Sequence, residues 1–270
     1  MTDGWRLTVR ERPPLRVEVG NLNPQALATL TVSEVERLPL PMGRRNIALA
    51  EIFKSEGQPG PRVTFQGSCE RLDGIGRNLA EGEILVEGDA GDEVGTGQSG
   101  GEIRIAGSVR DEAATGRSSG VLIIGGNAGA FLGAPKPGER LGMRGGLVRI
   151  AGNVGPRVGD RMRRGMILIG GNAGEACGAR MVAGTIAVAG QLGAMPGIRM
   201  RRGTIIARGA PDGPPDTFAE TGQADLIIFK LLARRLAEMA PWLPLLMDRP
   251  VRRAVGDLAV DGKGELLLTG

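Results

Sequence analysis

A seven-residue cassette returns down the middle of the chain at a fixed interval: glycine, a short strand-forming run, glycine again. It reads GEILVEG from Gly82, GEIRIAG from Gly101, GVLIIGG from Gly120, GLVRIAG from Gly146, GMILIGG from Gly165, GTIAVAG from Gly184 and GTIIARG from Gly203. The steps between leading glycines are 19, 19, 26, 19, 19 and 19 residues. The long step carries an insertion around Ala134 to Arg140, rich in Pro and Gly. A degenerate earlier copy, VTFQG, ends at Gly67. One strand per unit at a constant period describes a stacked repeat whose units cannot bury their apolar face alone.

Inside each strand the apolar positions alternate. Ile84 and Val86 match Ile103 and Ile105, Leu122 and Ile124, Val148 and Ile150, Ile167 and Ile169, and Ile186 and Val188. Period 2 within a unit and period 19 between units line these side chains up in two inward columns, with rungs ~4.8 Å apart. The expected fold is mainly β: a right-handed parallel β-helix, a solenoid of 19-residue turns, with small α+β flanking segments. A further column, three residues before each leading glycine, holds Leu79, Gln98, Arg117, Met143, Met162, Met181 and Met200. Methionine is an adaptable gap-filler, so this column reads as corner packing.

After each strand the chain runs G-x-x-G-x-x-x-G: Gly88, Gly91, Gly95; Gly126, Gly129, Gly133; Gly152, Gly155, Gly159; Gly171, Gly174, Gly178; and Gly190, Gly193, Gly197. These are structural corner glycines, suited to positive φ and to close approach of neighbouring turns. Asn127, Asn153 and Asn172 share one corner site, as a left-handed position or as a stacked amide ladder. After Gly107 the pattern breaks, with Arg110 and Ala114 where glycines would stand. Gly95 to Gly100 formally matches the dinucleotide fingerprint G-x-G-x-x-G, but no helix or βαβ unit follows it, and it carries no weight.

Three segments follow: 1–60 with strands and short helices, 61–209 as the glycine-repeat array, and 210–270 with a helix and a β-hairpin. In the first, Trp5, Leu7 and Val9 alternate with polar positions, as do Leu15, Val17 and Val19; Asn23-Pro24 and Ser33 to Glu36 open short helical stretches. In the last, PDGPPDTF reads as a linker. Ala224 to Ala240 reads as one apolar helix stopped by Pro241, buried on the array and by a partner. Asp261-Gly262 reads as a hairpin turn between Val255–Val260 and Glu265–Leu268.

The 270 residues contain no histidine, which removes the commonest general base and the commonest metal ligand. Cys69 and Cys177 form no CxxC pair, so neither a zinc knuckle nor a disulfide framework is expected. No run approaches the length of a membrane span and the N-terminal stretch is charged throughout, so a soluble cytoplasmic protein is expected. A net charge of +4 with no aromatic interleaving argues against nucleic acid. Asp92 with Glu93, and Asp111 with Glu112, are the carboxylate pairs a β-helical enzyme would use; adjacent acids on corners read more simply as solvated. No catalytic residue and no metal site is assigned.

The glycine pattern resembles the repeat domain shared by the C-terminal part of glutamate synthase large subunits and the C subunit of formylmethanofuran dehydrogenases. The N-terminal portion selects the second. LNPQALATLT from Leu22, SEVERLPLPMG from Ser33, Leu49 to Phe53 and the turns from Asp73 to Gly91 are similar to that protein, so the resemblance covers residues 5–209. It implies a non-catalytic subunit of one of two complexes. One is the bacterial formyltransferase/hydrolase complex, which moves a formyl group from formyl-tetrahydromethanopterin to methylofuran and hydrolyses it to formate. The other is the tungsten or molybdenum formylmethanofuran dehydrogenase. The preference for Arg over Lys and the Ala/Gly-rich composition favour the bacterial complex, with hydrolase-like and formyltransferase subunits as partners. A free-standing glutamate-synthase-like module of an amidotransferase is the alternative from another class.

One charge pattern stands apart from the glycines. Arg161, Arg180 and Arg199 lie four residues before a leading glycine, Arg144, Arg163 and Arg201 two before, and Arg164 and Arg202 one before. Stacking turns these into vertical basic rows. They read as a solvated face, as contacts to an acidic partner protein, or as a hold on the polyglutamate tail that the resemblance implies for methylofuran within the complex; the chain alone is expected to bind no cofactor.

Overall fold

The computed structural model describes residues 4–248 and 250–270. The N-terminal segment holds β1 (Gly4–Val9), β2 (Val17–Glu18), α1 (Val32–Glu36), β3 (Pro39–Met42), β4 (Arg45–Ala48), α2 (Leu49–Ile52) and β5 (Phe53–Gly57). The repeat region holds β6 (Arg62–Gln66), β7 (Leu72–Asp73), β8 (Glu83–Val86), β9 (Glu102–Ile105), β10 (Val121–Ile124), β11 (Arg144–Ile150), β12 (Arg164–Ile169), β13 (Thr185–Gln191) and β14 (Thr204–Gly209). After it come β15 (Ala219–Ala224), α3 (Ile227–Arg235), α4 (Trp242–Leu246), β16 (Val251–Gly256) and β17 (Gly264–Leu268).

The protein is mainly β. Thirteen strands form one sheet in the order β15-β16-β17-β14-β13-β12-β11-β10-β9-β8-β6-β1-β5. From β6 to β14 every neighbouring pair is parallel, with cassette positions in register: Ile84 opposite Ile103, Leu122 opposite Val148, Ile186 opposite Ile205. The alternating apolar residues are buried in two columns, as their spacing requires. Both columns continue past the recognisable repeats. At one end Trp5 and Leu7 of β1 pair with Val63 and Phe65. At the other, Leu266 and Leu268 of β17 pair with Ile205 and Ala207. Strands of all three segments thus share one sheet and one core. A second line of parallel bridges joins Ala128, Val154, Ala173 and Leu192 away from the sheet.

Each sheet end is closed by antiparallel pairing, β5 on β1 and β16 with β15 beyond β17. The outermost strands are short and polar, with exposed Lys54 and Glu56 on β5 and exposed Glu220 on β15, which blunts the open edges.

The flanks differ from the sequence reading in several places. The strand expected over Leu15–Val19 contracts to Val17–Glu18, leaving Leu15 exposed. The stretch opened by Asn23 is a series of turns, with the Ala26 amide donating to Asn23 Oδ1 at 2.9 Å. The single helix expected over Ala224–Ala240 is shorter: α3 ends at Arg235, and α4 follows Pro241. The bend lets Ala233, Ala240, Leu243, Leu246 and Met247 pack on the outward residues Leu168, Ala187, Ile206 and Leu267. Ile227, Ile228 and Leu231 stay exposed. The C-terminal hairpin keeps its turn at Asp261, left-handed (φ 53°), and its second strand; the first strand starts four residues earlier than expected, β16 over Val251–Gly256, with a 3-10 turn over Leu258–Val260 between.

Candidate functional site

The corners place the candidate residues. Left-handed residues alternate along each corner: Glu93, Gly95, Gly97 in one turn, Arg157, Gly159, Arg161 in another, then Ala176, Gly178, Arg180, then Met195, Gly197, Arg199. The alternation points successive amides up and down the stack. Arg157 N–H donates to Glu175 O in the next turn, Gly159 N–H to Leu132 O in the previous one, and Arg161 N–H to Ala179 O in the next. The amides of Arg157, Arg161, Arg180 and Arg199 are all paired, which offsets the cost of left-handed arginines. Arg199 ends the row, and no further turn follows it. There the buried Asp257 carboxylate stands in for the missing carbonyl, taking the Arg199 N–H at 2.8 Å. Burial works to raise the Asp257 pKa, but the amide hydrogen bonds from Arg199 and Ala259, the Thr217 hydroxyl and the Arg199 charge together outweigh it and hold the carboxyl below its ordinary value.

The glycine triads divide by role. The third members, Gly95, Gly133, Gly159, Gly178 and Gly197, have φ between +68° and +71°. Ala114 takes the same conformation (φ 59°) where the pattern breaks. The first and second members are not left-handed; they allow close approach. A Cβ on Gly155 would meet Ala130 N at 2.8 Å, on Gly174 Pro156 N at 2.7 Å, and on Gly193 Glu175 N at 2.7 Å. Cβ atoms on Gly91, Gly126, Gly129, Gly152, Gly171 and Gly190 would collide with ladder side chains or backbone of the previous turn. Gly88 alone among the fifteen has room, its nearest atom being Gly67 O at 3.6 Å.

Those ladders are two. Asp89, Ser108, Asn127, Asn153 and Asn172 each accept the backbone N–H of the residue stacked on them, at 2.7 to 3.0 Å. Asp73, Asp92 and Asp111 do the same for Asp92, Asp111 and Ala130. The asparagines therefore act as a ladder and are not left-handed. Asp92, Glu93 and Asp111 of the carboxylate pairs are engaged in this framework: Asp92 also meets Arg16 at 2.8 Å and Arg110 at 3.2 Å, and Glu93 meets Arg77 at 2.6 Å. Burial, then the neighbouring Glu93, Asp111 and Asp92, raise the Glu112 pKa. Both cysteines are buried, with thiol pKa values pushed up to about 12. Among the described residues no group of His, Cys, Asp and Glu is placed to hold a metal ion, and no helix is long and apolar enough to cross a membrane.

The arginine rows converge on a groove of about 560 Å³ lined by Arg161, Arg163, Arg180, Arg199 and Arg201, with Val182 and Val260 as apolar lining. The insertion adds Arg140 and Leu141 to its wall. Its Lys136 lies across the corner glycines: a Cβ on Gly97 would meet Lys136 Nζ at 2.7 Å, and one on Gly116 its Cε at 3.0 Å. Of the other candidates, Arg202 lines an adjoining hollow with Lys263 and Asp261. Arg144 and Arg164 pair in register on β11 and β12 and do not line the groove. Asp160, buried at the rim, was not singled out from the sequence; it binds Arg157 at 2.9 Å and Arg180 through both oxygens. The groove thus offers guanidinium donors in pairs, the chemistry that suits carboxylates and phosphates.

No family model matches the chain. It is 40% identical over 88 residues, 33% of each chain, to the C subunit of the formyltransferase/hydrolase complex Fhc of Methylorubrum extorquens. It is 31% identical over 88 residues, 31% of this chain and 33% of the relative, to the C subunit of the tungsten-containing formylmethanofuran dehydrogenase 2 of Methanothermobacter marburgensis. These alignments span about a third of the curated relatives' length. Among solved structures, a chain of the formyltransferase/hydrolase complex FhcABCD from Methylorubrum extorquens, crystallised with methylofuran, superposes with a TM-score of 0.93 at 39% identity, covering 98% of this chain and 99% of that one.

Proposed function

Because the chain belongs to the C-subunit family of formyltransferase/hydrolase complexes and formylmethanofuran dehydrogenases, we propose that it is the non-catalytic scaffold of a bacterial formyltransferase/hydrolase complex. The complex would transfer formyl from formyl-tetrahydromethanopterin to methylofuran and hydrolyse it to formate, in the oxidation of formaldehyde in the cytoplasm. The observation that carries this reading is near full-length similarity, in sequence and in fold, to a chain of the FhcABCD complex. The lack of any histidine agrees with chemistry housed in hydrolase-like and formyltransferase partners. The scaffold itself is a right-handed parallel β-helix over residues 61–209, closed by 1–60 and 210–270; in-register parallel strands and the second line of bridges support that winding. The corner glycines serve that winding, and the basic groove, with Arg144, Arg164 and Arg202 around it, holds an anionic partner. That partner is the polyglutamate tail of methylofuran or an acidic surface of a neighbouring protein in the complex.

The C subunit of a dehydrogenase is the second reading, favoured by the match to the tungsten-containing enzymes. The test is native mass spectrometry of the tagged, gently purified assembly, with subunit identification and metal analysis. A metal-poor complex with formyltransferase and amidohydrolase-like subunits is expected. Tungsten or molybdenum with iron–sulfur proteins would transfer the chain to the dehydrogenase, and a lone stable monomer would remove the scaffold role.

A further inference from the structure

The following rests on the anion-binding reading of the groove and sharpens it. The arginine rows are not evenly charged. On the rung led by Gly165, Arg161 and Arg163 face the groove, and among the described residues no carboxylate pairs with either. On the rung led by Gly203, Arg199 and Arg201 do the same. Asp257 attracts the Arg199 guanidinium at a distance, but its oxygens accept from the amides of Arg199 and Ala259 and make no close ion pair with it. The rung between, led by Gly184, offers Arg180 and Val182. Val182 is uncharged. Arg180 is gripped by Asp160, Nε at 2.9 Å from Oδ1 and Nη2 on Oδ2, and Asp160 is 3% exposed and also held by Arg157 at 2.9 Å. Arg157 does not line the groove, so on its wall the middle rung carries a paired Arg180 in one row and no charge in the other.

We propose that the groove is a two-clamp site. Arg161 with Arg163, and Arg199 with Arg201, each take one anionic group of an extended polyanion, and Asp160 is a positioning residue that keeps the saddle between them neutral. Two rungs separate the clamps, a span of about 10 Å. The ligand class is a flexible chain carrying carboxylates about 10 Å apart, the distance between side chains three residues apart on one face of a polyproline II-like peptide. A compact anion reaches one clamp, and a chain with adjacent charges places its second charge over the neutral saddle.

The test uses the full chain and two end-blocked, fluorescently labelled peptides at low ionic strength, one with glutamates at positions i and i+3, the other at i and i+1. The wider-spaced peptide is expected to bind about tenfold tighter. Arg161→Gln and Arg199→Gln should each abolish that preference, while Arg180→Gln should change affinity by less than about twofold. Asp160→Asn, which frees Arg180, should let the adjacent-charge peptide bind nearly as well. Arg180→Gln keeps the idea testable if the Asp160 variant misfolds. Equal losses for the three Gln variants, or equal binding of the two peptides, would replace the clamps by a uniform basic field and leave the anion-binding reading standing. Binding of neither peptide, by a chain that still assembles with its partners, would overturn both.

Discussion

Arg117 occupies the column that elsewhere holds Leu79, Gln98, Met143, Met162, Met181 and Met200, and like them it is buried. Each of Met143, Met162 and Met181 packs its methyl on the leading glycine of the next turn, which leaves no room for a Cβ there. Arg117 instead donates from Nε and Nη2 to Ser119 O, at 3.3 and 3.1 Å, and its buried Nη1 finds no acceptor among the described residues. Burial pushes its pKa down to about 10. A base depressed by folding holds its proton less well in the folded chain than in the unfolded one. Its destabilising effect is complete below pH about 10 and is relieved as pH rises above that toward the ordinary guanidinium value, a range in which the unfolded chain still binds the proton. Arg117→Met restores the column's chemistry. We expect it to leave stability at neutral pH unchanged or raised by about 1 kcal/mol, as when a buried ion is replaced by a packed apolar side chain. Wild type should gain on the variant as pH climbs past about 10, and urea unfolding of both over that range reads the effect.

At the level of the turn, the two kinds of glycine make different demands. Gly174→Ala would press a methyl on Pro156 N and the Gly155 carbonyl carbon, at 2.7 and 2.8 Å, where neither side can retreat without breaking rung spacing. Its expected cost is about 2 kcal/mol. Gly88→Ala, facing only Gly67 O at 3.6 Å, should stay within about 0.5 kcal/mol. Thermal unfolding of the two variants side by side measures the contrast. Strand, register and inward column were legible in the sequence because they follow from spacing alone. The left-handed positions at Glu93, Arg157 and Arg161 were not, because no glycine marks them and only the alternating amide pairing makes them tolerable. The groove was half legible: the rows of Arg161, Arg180 and Arg199 followed from the period. The grip of Asp160 on Arg180, and the arrival of Arg140 from the insertion, depend on how the corner turns.

For the molecule as a whole, the ends matter as much as the repeat. The rung supplied by β17 lies 61 residues from its partner positions on β14, Thr204 facing Glu265, so no period announces it. With α3 and α4 it covers Ile206, and Asp257 satisfies the last corner amide. Removing residues 210–270 would bare the β14 edge together with that apolar face. We expect the shortened chain to self-associate, seen by light scattering, where the full chain does not.

The ten parallel strands from β1 to β17 are joined by nine equal steps, so the sheet measures about 43 Å along its stacking direction. That makes the protein a ruler with 19-residue graduations. Partners bound at its two ends would be held at a separation set by counting strands, and inserting or deleting one unit would change that distance by about 4.8 Å. An extra loop at a corner, such as 134–140, lengthens the chain without moving a single graduation.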